Sequence, residues 1–136
     1  MSHASHASHA SRRWPLAAAL LGVVLAAGCG DAPRPDDPFR EVAGGRPERG
    51  LALIGHYQCG SCHVVPGGLA PVRPVGPSLA GFGRRSYIAG QVPNLPVNLQ
   101  RWLQSPASLL PQATMPDLGV SAEDARDLAA YLMSLE

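Results

Sequence analysis

The chain has 136 residues, a formal net charge of +1, 15% charged residues and 46% hydrophobic residues. This length allows one small domain and little more. The near-neutral charge and the lack of any lysine argue against nucleic-acid binding, which needs a basic surface. The 15 glycines and 14 prolines predict loops between short elements.

The first 28 residues predict a secretory signal peptide. Arg12 and Arg13 precede an apolar run from Trp14 to Ala27, which is shorter than the roughly 20 residues of a membrane-spanning helix. The run ends at Cys29 in a sequence that resembles a lipobox. We therefore expect Cys29 to be lipidated on the periplasmic side of a bacterial membrane, the alternative being a soluble periplasmic product. Residues 29–46 are then the lipidated N-terminus and a proline-rich linker.

The five residues Cys59-Gly60-Ser61-Cys62-His63 form the attachment motif of a c-type haem. The two thiols add to the vinyl groups of the porphyrin, and the adjacent histidine binds the iron. A thioredoxin-like pair or half of a zinc site shares the Cys-x-x-Cys spacing, but the first needs a βαβ pattern and the second a further ligand pair. No cysteine or histidine follows the motif. It therefore predicts one covalent haem c in a domain of residues 47–136.

The iron needs a sixth ligand or leaves that position open, and Met115 is the candidate. It lies in a proline-flanked loop just before the last predicted helix, where its thioether can reach the haem face opposite His63. Met133 lies inside that helix and is less suitable. Ligation by His63 and Met115 leaves no open iron site. An open site would instead indicate a haem-based redox or gas sensor, or a small haem peroxidase.

Three helices are predicted in the domain. The first begins at Pro47, the second covers Pro96–Gln104, and the third follows Ser121 as its N-cap. We expect the face of the first helix that carries Leu51 and Ile54 to pack against the third helix. The pattern predicts an all-α fold of three to four short helices, with loops rich in glycine and proline around one haem.

The order of motifs in the domain resembles that of a class I c-type cytochrome. More narrowly, it resembles the cytochrome c domains of haem-copper oxidase subunit II and their free-standing relatives. Besides the haem motif, the resemblance rests on Gly76-Pro77-x-Leu79-x-Gly81, Tyr87-Ile88-x-Gly90, Pro93-Asn94-x-Pro96, Trp102-Leu103, Met115-Pro116 and Asp127-Leu128-x-x-Tyr131-Leu132. It covers Arg49 to Leu135 and implies the small cytochrome c fold.

The resemblance also implies roles for residues around the haem. The carbonyl of Pro77 is expected to accept a hydrogen bond from His63 and to orient its ring. The positions expected to meet the haem propionates or line the pocket are Arg84, Arg85, Asn94 and Trp102. Between the haem motif and Met115 the chain has four arginines and no acidic residue, which independently favours binding of two carboxylates.

A haem ligated in this way predicts an electron carrier rather than an enzyme, possibly as an accessory subunit of a cytochrome c oxidase. We expect single electrons to pass in a respiratory chain from a quinol-oxidising complex to a terminal oxidase, with no small-molecule substrate. After Cys29 the chain has nine arginines and ten acidic residues, a net charge of about −1. Docking is therefore expected to rely on apolar contact near the haem edge.

Overall fold

The fold is seen in a computed structural model that describes residues 40–68 and 71–136. The predicted signal peptide, Cys29 and most of the linker lie outside these residues. The described part contains three α-helices, which are α1 (Pro47–His56), α2 (Pro96–Gln104) and α3 (Ala122–Met133). None of them is long and apolar enough to cross a membrane. The mainly helical architecture agrees with the predicted fold class.

Short elements lie in the loops between the helices. Single turns of 3₁₀ helix form at Cys59–Ser61, Phe82–Arg84 and Pro106–Ser108. Strand β1 (Tyr87–Ile88) pairs antiparallel with β2 (Val92–Pro93). This hairpin is not predictable from the sequence, because strands of two residues are too short to show an alternating pattern.

Local sequence signals explain where the helices begin. Pro47 and Pro96 occupy the first turns of α1 and α2, where the missing N–H of proline costs nothing. The side-chain oxygen of Ser121 accepts a hydrogen bond of 3.1 Å from the backbone N–H of Asp124, which caps α3 as predicted.

Helix α3 is the central packing element, because it packs against both α1 and α2. Its buried residues include Ala125, Leu128, Ala129 and Leu132. The hydrophobic core also takes in Leu99 of α2, which is 1% exposed. Helix α3 therefore joins α1 and α2 in one hydrophobic core.

The contact between α1 and α3 depends on a glycine. A Cβ atom at Gly50 would lie 2.7 Å from the Cβ atom of Tyr131 and closer still to the carbonyl oxygen of Asp127. The two backbones therefore approach along the face that carries Gly50, Leu53 and Ile54, the buried residues of α1.

The prediction for Leu51 is wrong, because this side chain is 52% exposed. Ile54 packs in the core as predicted, at 6% exposed. Gly50, and not its neighbour Leu51, is the residue of α1 that lies against the α3 backbone.

The chain is also packed before α1 begins. Val42 belongs to the hydrophobic core at 7% exposed, and its carbonyl accepts a hydrogen bond of 2.9 Å from Gly45. The backbone N–H of Arg46 donates to the carboxylate of Asp127 in α3 at 3.0 Å. Ordered packing thus extends several residues upstream of Pro47.

Candidate cofactor site

A cavity of about 680 Å³ lies beside the Cys-x-x-Cys-His motif. Its volume is within the roughly 300–1,000 Å³ of pockets that hold small molecules and cofactors. The walls are mostly apolar, and they include Ile54, Leu79, Phe82, Ile88, Leu99, Leu103 and Leu132. Helices α1, α2 and α3 all contribute to this list, so the fold itself creates the cavity.

Cys59, Cys62, His63 and Met115 all line this cavity. The 3₁₀ turn beginning at Cys59 folds the motif tightly, since the carbonyl of Cys59 accepts hydrogen bonds from the N–H groups of Cys62 at 3.2 Å and His63 at 2.9 Å. No disulfide joins the two cysteines. Burial raises the pKa of the Cys59 thiol, which keeps it protonated at neutral pH.

The imidazole of His63 is held from one side by the next loop. Its Nδ1 atom lies 2.7 Å from the carbonyl oxygen of Pro77, so a proton on Nδ1 is donated to that oxygen. The other ring nitrogen, Nε2, then keeps its lone pair for a metal ion. A Cβ atom at Gly76 would lie 2.9 Å from Nε2 and closer still to two other ring atoms. Only glycine at position 76 leaves room for the ring.

Arg85 supplies positive charge to the cavity wall. It is the one Asp, Glu, Lys or Arg residue among the described residues that line the cavity. Its Nη2 atom donates to the carbonyl oxygen of Ser78 and, at 3.1 Å, to that of Ala80. Its guanidinium carbon lies 5.3 Å from the ring centre of Phe82. The charge is therefore held in place and faces no carboxylate in the described wall.

Seven of the nine predicted cofactor-binding residues line the cavity, and Arg84 and Asn94 do not. Arg84 is exposed. Asn94 is only 6% exposed, and its side-chain amide donates to the carbonyl oxygens of Phe82 at 3.1 Å and Arg85 at 3.0 Å. Asn94 thus supports the loop that carries Arg85 instead of contributing to the wall. The seven that line the cavity are Cys59, Cys62, His63, Pro77, Arg85, Trp102 and Met115.

Sequence reasoning missed several residues of the site. Tyr57 and Phe82 line the cavity, and Gly76 makes room for the histidine ring. A signal was available for two of them, since Tyr57 lies two residues before Cys59 and Gly76 begins the motif Gly76-Pro77-x-Leu79-x-Gly81.

The residues present fit a c-type haem. Two thiols, an imidazole with a free Nε2 and a thioether are the groups that attach such a haem and complete its iron coordination. They line one cavity whose walls are apolar and whose charged wall residue is an arginine. Apolar walls suit a porphyrin ring, and an arginine suits its carboxylates.

Comparison with known proteins gives matches over the same part of the chain. The family profile described as Cytochrome c matches residues 47–136. A cytochrome c oxidase subunit 2 from Alkalihalophilus pseudofirmus is 38% identical over 90 residues, which are 65% of this chain and 25% of the relative. A cytochrome c oxidase subunit 2 from a Bacillus species, strain PS3, is 40% identical over 87 residues, which are 61% of this chain and 24% of the relative. The chain spans about a quarter of the length of these relatives.

Proposed function

The chain belongs to the cytochrome c family, and from that premise we propose that it is a one-electron carrier with a single covalent haem c, bound by Cys59, Cys62, His63 and Met115. A haem role in electron transfer follows from the family. The observation that supports the particular ligands is that all four side chains line the same cavity. Bound there, the haem supplies an iron that cycles between two oxidation states.

The protein's own residues orient and shield the group. Pro77 accepts the Nδ1 proton of His63, which fixes the ring and increases the electron donation of Nε2. Arg85 faces the cavity with a guanidinium that can pair with a haem carboxylate. Trp102, 9% exposed, adds an indole to the wall. The apolar walls exclude water, which favours the less charged ferrous state.

We further propose that electrons pass from a quinol-oxidising complex to a terminal oxidase. The similarity to two proteins named cytochrome c oxidase subunit 2 supports an oxidase as the acceptor or as the complex to which the chain belongs. Lipidation at Cys29 would keep the domain at the outer face of a membrane, where the linker limits its search for partners.

An optical spectrum tests the ligation. We expect the matured protein to have a haem c spectrum, a sulfur-to-iron charge-transfer band when oxidised, and no response to carbon monoxide when reduced. Met115→Leu should abolish the band, permit carbon monoxide binding and lower the reduction potential, because the thioether that favours ferrous iron is gone. Met133→Leu is the matched control, since Met133 is buried in the core and does not line the cavity.

A carbon monoxide response in the wild-type protein would contradict the proposal and favour a sensor or a peroxidase. A charge-transfer band that persists in Met115→Leu would assign the sixth ligand to another residue.

Separate experiments test the route and the anchor. The ferrous protein should be oxidised rapidly by a purified terminal oxidase, and the ferric protein reduced by a quinol-oxidising complex. Cys29→Ala should release the protein from membranes into the soluble periplasmic fraction. Equal membrane retention of this variant and the wild type would refute lipid anchoring at Cys29.

A further inference from the structure

Tyr57 lies between the end of α1 and the haem motif. Its side chain lines the cavity together with Ile54 and Cys59. Its hydroxyl donates a hydrogen bond of 2.7 Å to Oδ2 of Asp124 in α3. Asp124 does not line the cavity. The hydroxyl of Tyr57 is thus bonded to Asp124, outside the cavity wall, and the aromatic ring is the part of Tyr57 that lines the cavity.

Asp124 is itself fixed in position. Its backbone N–H is bonded to the Ser121 cap at 3.1 Å, and its Oδ1 atom pairs with Nη2 of Arg49 at 2.6 Å. The hydrogen bond from Tyr57 is the first of several contacts that lower the pKa of the Asp124 carboxyl, and the same bond raises the pKa of the Tyr57 phenol. The pair is therefore an ionised carboxylate and a neutral phenol at neutral pH.

Tyr57 is the C-cap of α1, and its backbone N–H donates to the carbonyl oxygen of Leu53 at 2.9 Å. The next residue, Gln58, has a φ of 53°, a left-handed conformation that is unfavourable for a residue with a side chain. Gln58 is exposed. The ring of the preceding residue, His56, meets that of Tyr57 edge to face, with centroids 4.9 Å apart. The bond to Asp124 ties the phenol to α3, beside the Ser121 backbone that the hydroxyl also meets.

We propose that Asp124 is a positioning residue that acts through Tyr57, holding the aromatic ring as a dry wall beside Cys59 and thereby raising the reduction potential of the haem. The inference rests on the haem site proposed above. Water admitted next to a haem stabilises the more highly charged ferric state, so a closed wall raises the potential. Without the carboxylate, the phenol turns toward water and the wall beside Cys59 opens.

The sign of the effect separates this role from simple electrostatics. A carboxylate near the iron stabilises the ferric state, so removing its charge would by itself raise the potential. Loss of the wall lowers the potential. Asp124→Ala therefore shifts the potential downward if Asp124 acts by holding Tyr57, and upward if it acts only as a charge.

Reduction potentials of the haem-loaded protein test the proposal. At a fixed applied potential, Asp124→Ala and Tyr57→Ala should each lower the ratio of reduced to oxidised protein several-fold, where a tenfold change equals about 59 mV for a one-electron couple. In the Tyr57→Ala background, Asp124→Ala should lower the ratio no further. Asp124→Asn keeps an oxygen that accepts from Tyr57 and should restore most of the ratio. Amide hydrogen exchange around residues 57–59 should be faster in the first two variants only.

Glu123→Ala is the matched control. Glu123 precedes Asp124 on α3, is 60% exposed in its side chain and pairs with Arg46 at 2.9 Å, so its loss removes a charge without touching Tyr57. The ratio of reduced to oxidised protein should be unchanged or higher in this variant.

The proposal is overturned if Asp124→Ala raises the ratio or leaves it unchanged, or if the effects of the two single variants add. It is also overturned if Asp124→Asn is no better than Asp124→Ala. These outcomes leave the proposed function intact wherever the wild-type protein has a haem c spectrum with the charge-transfer band. Absence of that spectrum refutes the proposed site itself.

Discussion

We expect Asp127→Asn to destabilise the domain by about 2 kcal/mol at neutral pH and by less in acid. Asp127 is a charged residue that is 0% exposed. Its carboxylate accepts from Arg46 Nε at 3.2 Å, from Arg46 Nη2 at 2.9 Å and from Arg49 Nη1 at 2.7 Å. It thus ties the start of α1 and the chain before it to α3.

The magnitude follows from the pKa of Asp127. Burial acts to raise this pKa, but the hydrogen bonds from Arg49 and Arg46 outweigh burial and lower it from 3.8 to about 2. Each pKa unit corresponds to about 1.36 kcal/mol. The side chains of Arg46 and Arg49 are 55% and 37% exposed, and water weakens their pairing, so we take the total as about 2 kcal/mol.

The sign follows from the lowered pKa. A carboxyl whose pKa is lowered by folding stabilises the fold fully above its unfolded pKa, and it loses that contribution as the pH falls through its folded pKa. For Asp127 this window lies between 3.8 and about 2. About half of the contribution should remain at pH 3.

Urea unfolding of the haem-loaded protein at pH 7 and pH 3, followed by circular dichroism, measures the effect. The free energy of unfolding of Asp127→Asn should be lower than that of the wild type by about 2 kcal/mol at pH 7 and by about 1 kcal/mol at pH 3. The control Glu123→Gln removes an exposed partner of Arg46 and should cost less than about 1 kcal/mol at pH 7. A deficit that is equal at both pH values, or absent at pH 7, refutes the reasoning.

Glycine positions and one hairpin residue give three further predictions. Gly50→Ala should destabilise the fold by about 1–3 kcal/mol, because the new Cβ atom meets the α3 backbone. In the same helix, a Cβ atom at Gly55 meets nothing within 4 Å, so Gly55→Ala should stabilise the fold by about 0.5–1 kcal/mol. Equal urea midpoints of the two variants would contradict both predictions. Ala89→Gly should raise the melting temperature slightly by relieving a φ of 47°, and a lower value would count against strain there. Gly76→Ala should push the ring of His63 aside and alter the haem spectrum; an unchanged spectrum would mean that the loop yields instead.

Some features of the molecule were predictable because they depend on residues that are close in the sequence. Pro47 and Pro96 start their helices, and Ser121 caps α3, through groups within one turn of the chain. The haem motif is likewise a run of five residues, and attachment chemistry fixes its spacing. These signals can be identified without knowing what packs against them.

Tertiary packing decided which side of each element faces the cavity. Arg84 and Arg85 are adjacent in the sequence, but only Arg85 lines the wall. Asn94 has the residue type expected near a haem carboxylate, but its amide is bonded to two carbonyl groups of the loop that carries Arg85. Whether a side chain points toward the cavity depends on its neighbours in other elements, and a local sequence pattern does not indicate these neighbours.

The sequence by itself determined the haem motif, the helices and the methionine candidate, because each is encoded by residue type at short range. Only the tertiary structure decided that Gly50 rather than Leu51 meets α3, and that Asp127 is buried between two arginines roughly 80 positions away. The physical reason is that burial and ion pairing are set by the close approach of distant segments. The same approach brings Asp124 of α3 to Tyr57, a residue of the cavity wall.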